Sequence, residues 1–309
     1  MTSGTNETKK PVGMVGIGTM GTRFLARFLA HGFDVVGFDV AQEAMERLTR
    51  AGGRAAKSAT EVAHLAETVL VSLPTPEAVY QAACGSEGLH QGSAIRTYVD
   101  LSTTGPATSE QVAAELSGRG IRCVDAPVSG GPAGAEAGTL TVMVSGAEDT
   151  IALIRPLLDV IGSKVFVVGS RPGQGQLVKL INNLLSATAI AVTGEALALA
   201  AKSGLDPGLV LDVVNVSSGA NTASTDKFPK QVMTRSFNHG FRLDLMAKDV
   251  RLCLSEAARY GVPMVLGGTV DQLWQLADAS LESGADCTAI VKVFEGWANT
   301  RIGRAPDPV

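Results

Sequence analysis

The chain has 309 residues, of which 45% are hydrophobic and 18% charged, with a formal net charge of −4. That length suits two domains, each with enough apolar residues for its own core. The lack of a long basic block argues against a nucleic-acid partner, and the longest small-apolar run, "LLSATAIAVTGEALALAA", is broken by Ser, Thr, Gly and Glu, which argues against a membrane span.

The polar opening "MTSGTNETKK" has no apolar h-region, so residues 1–11 are expected to be a loose tail rather than a secretory signal. "PVGMVGIG" then reads as a strand running into glycines, and "TRFLARFLAHG" as an amphipathic helix stopped by Gly32. "DVVGFDV" is a second strand and "AQEAMERLTRAGG" a second helix. "TVLVSLP", "RTYVDLST" and "IRCVDAPV" are further strands, with "PATSEQVAAELSGRG" a helix between two of them. "GTLTVMVSG" and "KVFVVGS" add two late strands around the helix "DTIALIRPLLDVIG". This alternation predicts an α/β domain over residues 12–174, its mainly parallel sheet covered by helices on both faces. Beyond about Gly175 the segments read at helical period, which predicts an all-helical domain over 175–309, joined through a long apolar helix starting near Gln176. Cys84, Cys123, Cys253 and Cys287 form no CxxC pair, and His31, His64, His90 and His239 do not sit beside them. No metal site or disulfide framework is expected, and reduced thiols suit a cytoplasmic protein.

Chemistry concentrates where the predicted strands end. "VGIGTMG" places Gly16, Gly18 and Gly21 in the pattern G-x-G-x-x-G between a strand and a helix. Gly16 suits a tight turn, Gly18 a close backbone approach to a pyrophosphate, and Gly21 close packing of helix on strand. With Thr19 and Met20 they would present helix N-terminal N–H groups to phosphates. Asp39 follows Gly21 by 18 residues at the end of the next strand. Its carboxylate would accept hydrogen bonds from ribose hydroxyls and repel a 2′-phosphate, so NAD is expected over NADP. Leu73 and Pro74 are positioned to pack on a cofactor ring, and Thr103 to offer a hydroxyl near the nicotinamide ribose. "DAPVSGGPAGAEAGTL" reads as a glycine-rich loop in which Ser129, Gly130 and Gly131 suit a small carboxylate. In "GQGQLVKLINN", Lys179 and Asn183 share one face of an apolar helix, one turn apart. A buried ammonium is costly unless it has a task.

Taken together, "GIGTMG", "DAPVSGG", "GQGQLVKLINN" and "LMAKD" resemble the β-hydroxyacid dehydrogenase family, over about Val12 to Arg301. The resemblance implies a Rossmann domain followed by a helical domain, with assembly as a homodimer or homotetramer. It implies that Lys179 is the catalytic lysine, Asn183 its support, and Ser129, Gly130 and Gly131 the carboxylate loop. It also implies that Lys248, Leu73, Pro74 and Thr103 contact the cofactor. Ser217, Ser218 and Asn221 are candidates to line the substrate pocket, and Phe241 to shield the nicotinamide. The expected reaction is NAD-dependent hydride transfer at the β-carbon of a small 3-hydroxy acid, with a lysine of lowered pKa moving the proton. The alternatives are a non-catalytic NAD-binding or sensing module of the same fold and an imine reductase-like enzyme. A decarboxylase of the phosphogluconate type would need a longer helical half.

Overall fold

The computed structural model describes residues 10–303, so residues 1–9 of the expected tail lie outside the described residues. Two compact units divide between Lys179 and Leu180. The first opens with β1 (Val12–Val15), α1 (Thr19–Ala30), β2 (Val35–Phe38), α2 (Gln42–Arg50), β3 (Arg54–Ala55) and α3 (Ala59–Leu65). It continues with β4 (Thr68–Val71), α4 (Pro76–Cys84), β5 (Thr97–Asp100), α5 (Pro106–Ser117), β6 (Arg122–Asp125) and β7 (Val128–Ser129). Then come α6 (Gly131–Ala137), β8 (Leu140–Ser145), α7 (Glu148–Ile161) and β9 (Gly162–Gly169), and α8 (Gln174–Lys202) starts in this unit.

The strands form one sheet in the order β3-β2-β1-β4-β5-β6-β8-β7, with β9 pairing β8. The pairs from β3 through β6 are parallel, whereas β8 meets both β6 and β7 antiparallel. The chain runs outward from β1 in one direction to β3 and in the other from β4 to β6. The point of reversal therefore lies between β1 and β4, where open α/β sheets bind ligands at their strand ends. Every residue of β1 and β5 is buried, which is why these strands are apolar runs rather than alternating ones. Successive residues feed opposite cores: Met14, Leu70 and Val99 join one with Phe24 and Phe28 of α1, while Val15, Val71 and Tyr98 join the other with Val62, Val112 and Leu116. Side-chain caps set two helix starts on that second face. Ser58 accepts the Glu61 N–H, and Thr75 accepts the Ala78 N–H with Pro76 in the first turn.

The structure departs from the sequence reading at the "GGPAGAEAG" stretch, which was expected to be a loop. It forms the short helix α6, because Pro132 suits a first turn, Ala and Glu favour helix, and Gly138 closes it at φ 70°. The short strands β3 and β7 and the helices α3 and α4 are also additions to that reading.

The second unit takes up α8 and adds α9 (Pro207–Asn215), a π-helix (Ala223–Val232), α10 (Leu243–Arg259), α11 (Val265–Ser280) and α12 (Val291–Ala298). Leu180, Leu184, Ala187, Ile190, Ala191, Leu197 and Ala198 of α8 enter its core with Phe228, Trp274 and Phe294. At Gly194 a Cβ would stand 2.7 Å from the Phe294 ring, so this glycine permits the close approach. α8 spans 29 residues, and its most apolar 18-residue stretch, with a mean hydropathy of 1.7, is long and apolar enough to cross a bilayer, yet half of that stretch is buried inside the protein. Arg235, at φ 62°, ion-pairs with Glu295 and donates to the Ile302 carbonyl at 2.8 Å.

Candidate active site

The glycine loop has the form the motif predicts. Gly16 sits at φ 91°, and a Cβ on it would strike the Ser72 carbonyl and come within 2.9 Å of Leu73. A Cβ on Gly21 would strike the Gly16 carbonyl, so the start of α1 packs directly on the turn. A Cβ on Gly18, by contrast, would meet nothing within 4 Å, which leaves this backbone open to a ligand. The α1 N-terminus has no side-chain cap and no acidic residue in its first turn, so Thr19, Met20 and Gly21 bring no competing anion to the site.

Asp39 is anchored beside this loop. Its Oδ2 accepts the Ile17 N–H at 2.6 Å and its Oδ1 the Ala41 N–H at 2.8 Å. Each carboxylate oxygen keeps a further lone pair for a hydroxyl. Leu73, just past β4, donates its N–H to Ser102 Oγ at 2.9 Å and leans on Gly16. Pro74 beside it is exposed, and Thr103 is half-buried between the buried Ser102 and Thr104. These residues fit a dinucleotide: forced glycines, an open backbone, a bare helix N-terminus and a fixed carboxylate occur at the sheet's point of reversal.

Ser129 ends β7 and is half-buried, while Gly130 and Gly131 follow at φ 129° and 65°. Only glycine holds such a pair of left-handed conformations without strain, and a Cβ on Gly131 would face open space. The successive amides lead into α6.

Lys179 is buried at 8% exposure, and Asn183, one turn further along α8, at 5%. In the helical unit Asn183 Nδ2 donates to Asp249 Oδ2 at 2.6 Å, and Lys248 Nζ stands 2.9 Å from Asp249 Oδ1. Asp249 is itself only 1% exposed. One carboxylate thus gathers two of the predicted site residues. Asp249 is not among the residues expected from the sequence; its signal there is an acid set among Met246, Ala247, Val250 and Cys253 of the buried face of α10.

The remaining candidates have other partners. Asn221 Oδ1 accepts the N–H groups of Ala223 and Ser224, and its Nδ2 reaches Thr193 Oγ1 and the Gly219 carbonyl. Asn221 thus accepts the first two N–H groups of the π-helix, and Thr193 lies about 15 Å along α8 from Asn183 at the usual helical rise. Ser217 donates to the Val213 carbonyl at 2.7 Å, and Ser218 is exposed. Phe241 packs against the helical core, with its N–H and carbonyl bonded to Asp286 and Cys287.

The chain is similar to known proteins. A family model for the NAD binding domain of 6-phosphogluconate dehydrogenase matches residues 11–169, and one described as NAD-binding of NADP-dependent 3-hydroxyisobutyrate dehydrogenase matches residues 173–294. The chain is 34% identical to 2-(hydroxymethyl)glutarate dehydrogenase of Eubacterium barkeri over 94% of its own length and 97% of that protein's. It is 35% identical to 3-hydroxyisobutyrate dehydrogenase of Pseudomonas aeruginosa, covering 92% of this chain and 98% of the relative. Among solved structures, 3-hydroxyisobutyrate dehydrogenase of Mycobacterium tuberculosis with L-serine superposes with a TM-score of 0.83 at 30% identity, over 92% of this chain and 98% of that one. An imine reductase of Streptomyces aurantiacus, at 20% identity and a TM-score of 0.63, shares the fold, over 92% of this chain and 99% of that one. With its glycine loop, its anchored Asp39 and these relatives, the chain is an NAD-binding dehydrogenase and belongs to the β-hydroxyacid dehydrogenase family that contains the 3-hydroxyisobutyrate dehydrogenases.

Proposed function

We propose that the protein oxidises a small 3-hydroxy acid at its β-carbon, or reduces the corresponding aldehyde, with Lys179 moving the proton. The observation that carries this reading is a buried lysine one helical turn before a buried asparagine that a buried aspartate holds in place. When bound, NAD would supply the hydride acceptor for oxidation of the carbinol carbon, and NADH the hydride donor for the reverse. Gly16, Gly18, Thr19, Met20 and Gly21 would hold its phosphates, Asp39 its adenosine ribose, and Leu73, Pro74, Thr103 and Lys248 its nicotinamide half.

The residues of the chain do the rest. A neutral Lys179 amine accepts the hydroxyl proton in oxidation, and the ammonium gives it back in reduction. Ser129 Oγ and the Gly130 and Gly131 N–H groups receive the substrate carboxylate. Asn183, fixed by Asp249, presents its amide to the substrate. Both relatives above bear the names of dehydrogenases for acids with a hydroxyl on the β-carbon, which supports this substrate class. Retention of Lys179 favours a hydroxy acid over an imine. Asp39 favours NAD over NADP, and a homodimer or homotetramer is the expected assembly.

A panel of 3-hydroxy acids offered with NAD, followed by the absorbance of NADH, tests the reading. Turnover is expected on at least one short 3-hydroxy acid and little on simple alcohols. NAD binding without turnover on any acid would favour the non-catalytic alternative.

A further inference from the structure

The first turn of α8, which carries Lys179, is wired to the sheet on two sides. On one side stands Asp125, the last residue of β6 and fully buried. Its Oδ1 accepts the Gly173 N–H at 2.8 Å and its Oδ2 the Gln176 N–H at 2.9 Å. Ser145, the last residue of β8, donates its hydroxyl to Asp125 Oδ1 at 2.9 Å and accepts the Gly175 N–H at 2.8 Å. Gly175 leaves no room for play: a Cβ there would lie 2.7 Å from Asp125 Oδ2 and strike the Met143 carbonyl.

On the other side the Gln176 side chain, also fully buried, reaches the loop after β5. Its Oε1 accepts the N–H groups of Thr104 at 3.0 Å and Gly105 at 3.3 Å, and its Nε2 donates to the Ser102 carbonyl at 3.0 Å. That loop is tied down in turn. Asp100 accepts the Ser102 N–H at 2.8 Å and the Thr104 hydroxyl at 3.3 Å, and Ser102 Oγ accepts the Leu73 N–H. Thr103 lies between two of these anchored residues.

One acceptor is enough to cap a helix start. Here a buried carboxylate, a hydroxyl and a buried amide are spent on the same turn, and the amide contributes nothing to the helix itself. Apolar residues would cover the same space without the desolvation cost. The gain is a defined position: Lys179 follows Gln176 by three residues, about 4.5 Å of helical rise. We propose that Gln176, with Asp125 and Ser145, is a positioning residue of the reaction, setting the rotation and height of α8 so that the Lys179 amine meets the strand ends that bear Leu73 and Thr103. This rests on the reading of Lys179 as the proton carrier.

The test uses Gln176→Asn, which keeps an amide one methylene shorter, and Ser145→Ala, each alone and combined with Lys179→Ala in the full chain. Each single change is expected to lower kcat by roughly 10- to 100-fold, as misplacement by about 1 Å does, while KM and the calorimetric Kd for NAD move less than about twofold. In the Lys179→Ala background both losses should vanish, because the group being positioned is gone. Hydrogen exchange on the cofactor-free protein should speed up at the Gly175 amide in Ser145→Ala. Unchanged kcat in both single variants, losses that multiply with that of Lys179→Ala, or an NAD Kd that rises in step with the fall in kcat would overturn the positioning role. A Lys179→Ala enzyme that keeps the wild-type rate overturns the lysine reading itself, which separates the two failures.

Discussion

In the proposed function a single carboxylate, Asp39, sets the choice between NAD and NADP. Asp39 is held by two backbone N–H groups, so it cannot swing aside for a 2′-phosphate without giving up both bonds. Asp39→Ala is expected to weaken NAD by roughly 10- to 100-fold and to narrow the NAD/NADP ratio, as loss of charged hydrogen bonds does. Calorimetric titration of both dinucleotides checks this, and an unchanged ratio would remove Asp39 from the ribose site. Asp125 offers a pH signature. Burial pushes its carboxyl up from 3.8 to about 6 despite the Gly173, Ser145 and Gln176 donors, and the nearby Asp100 carboxylate adds to the rise. A carboxyl whose pKa is raised by folding contributes stability that is fully present below about 3.8 and is lost as pH rises through about 6. The stability of the wild type relative to Asp125→Asn should therefore fall between those two values, as read from unfolding midpoints across pH. A flat difference would refute the assignment.

At the scale of elements, α8 and α10 are joined by the bond between Asn183 and Asp249. Asp249→Ala strips the partner from Asn183 and from Lys248, and breaking a buried ion pair costs about 3 kcal/mol or more. Urea unfolding should show a loss of this size, with Asp249→Asn closer to wild type because its side-chain oxygen still accepts the Asn183 amide. The strands β1, β4 and β5 were legible because burial on both faces forces continuous apolar runs, and α8 and α10 because their apolar period is long. The helix α6 was not, since four glycines and a proline in nine residues mimic a loop until Gly138 is seen to close a turn. The Gln176 and Asn221 contacts escaped for another reason. The partners of the Gln176 side chain lie 71 to 74 residues away and the Thr193 partner of Asn221 lies 28 away, and no local pattern records such pairings. Glycine spacing, by contrast, reports a purely local constraint, so Gly16, Gly18 and Gly21 could be read directly.

For the whole molecule, the outer face of α8 bears on assembly. Leu185, Val192 and Leu199 recur every seven residues and are 66%, 53% and 71% exposed. We propose that this exposed apolar row is where copies of the chain pair in the expected homo-oligomer. Leu199→Glu should shift the particle toward monomer in sedimentation equilibrium with its helical content intact, and an unchanged mass would place the interface elsewhere. The central claim is that Lys179 carries the proton, and the pH dependence of kcat/KM for oxidation tests it most directly. Wild type should rise with pH as the Lys179 amine loses its proton. Lys179→Ala should lose at least about 100-fold, lose that ionisation and regain rate on addition of a primary alkylamine. A variant with the wild-type profile, or one indifferent to amine at near wild-type rate, would contradict the account.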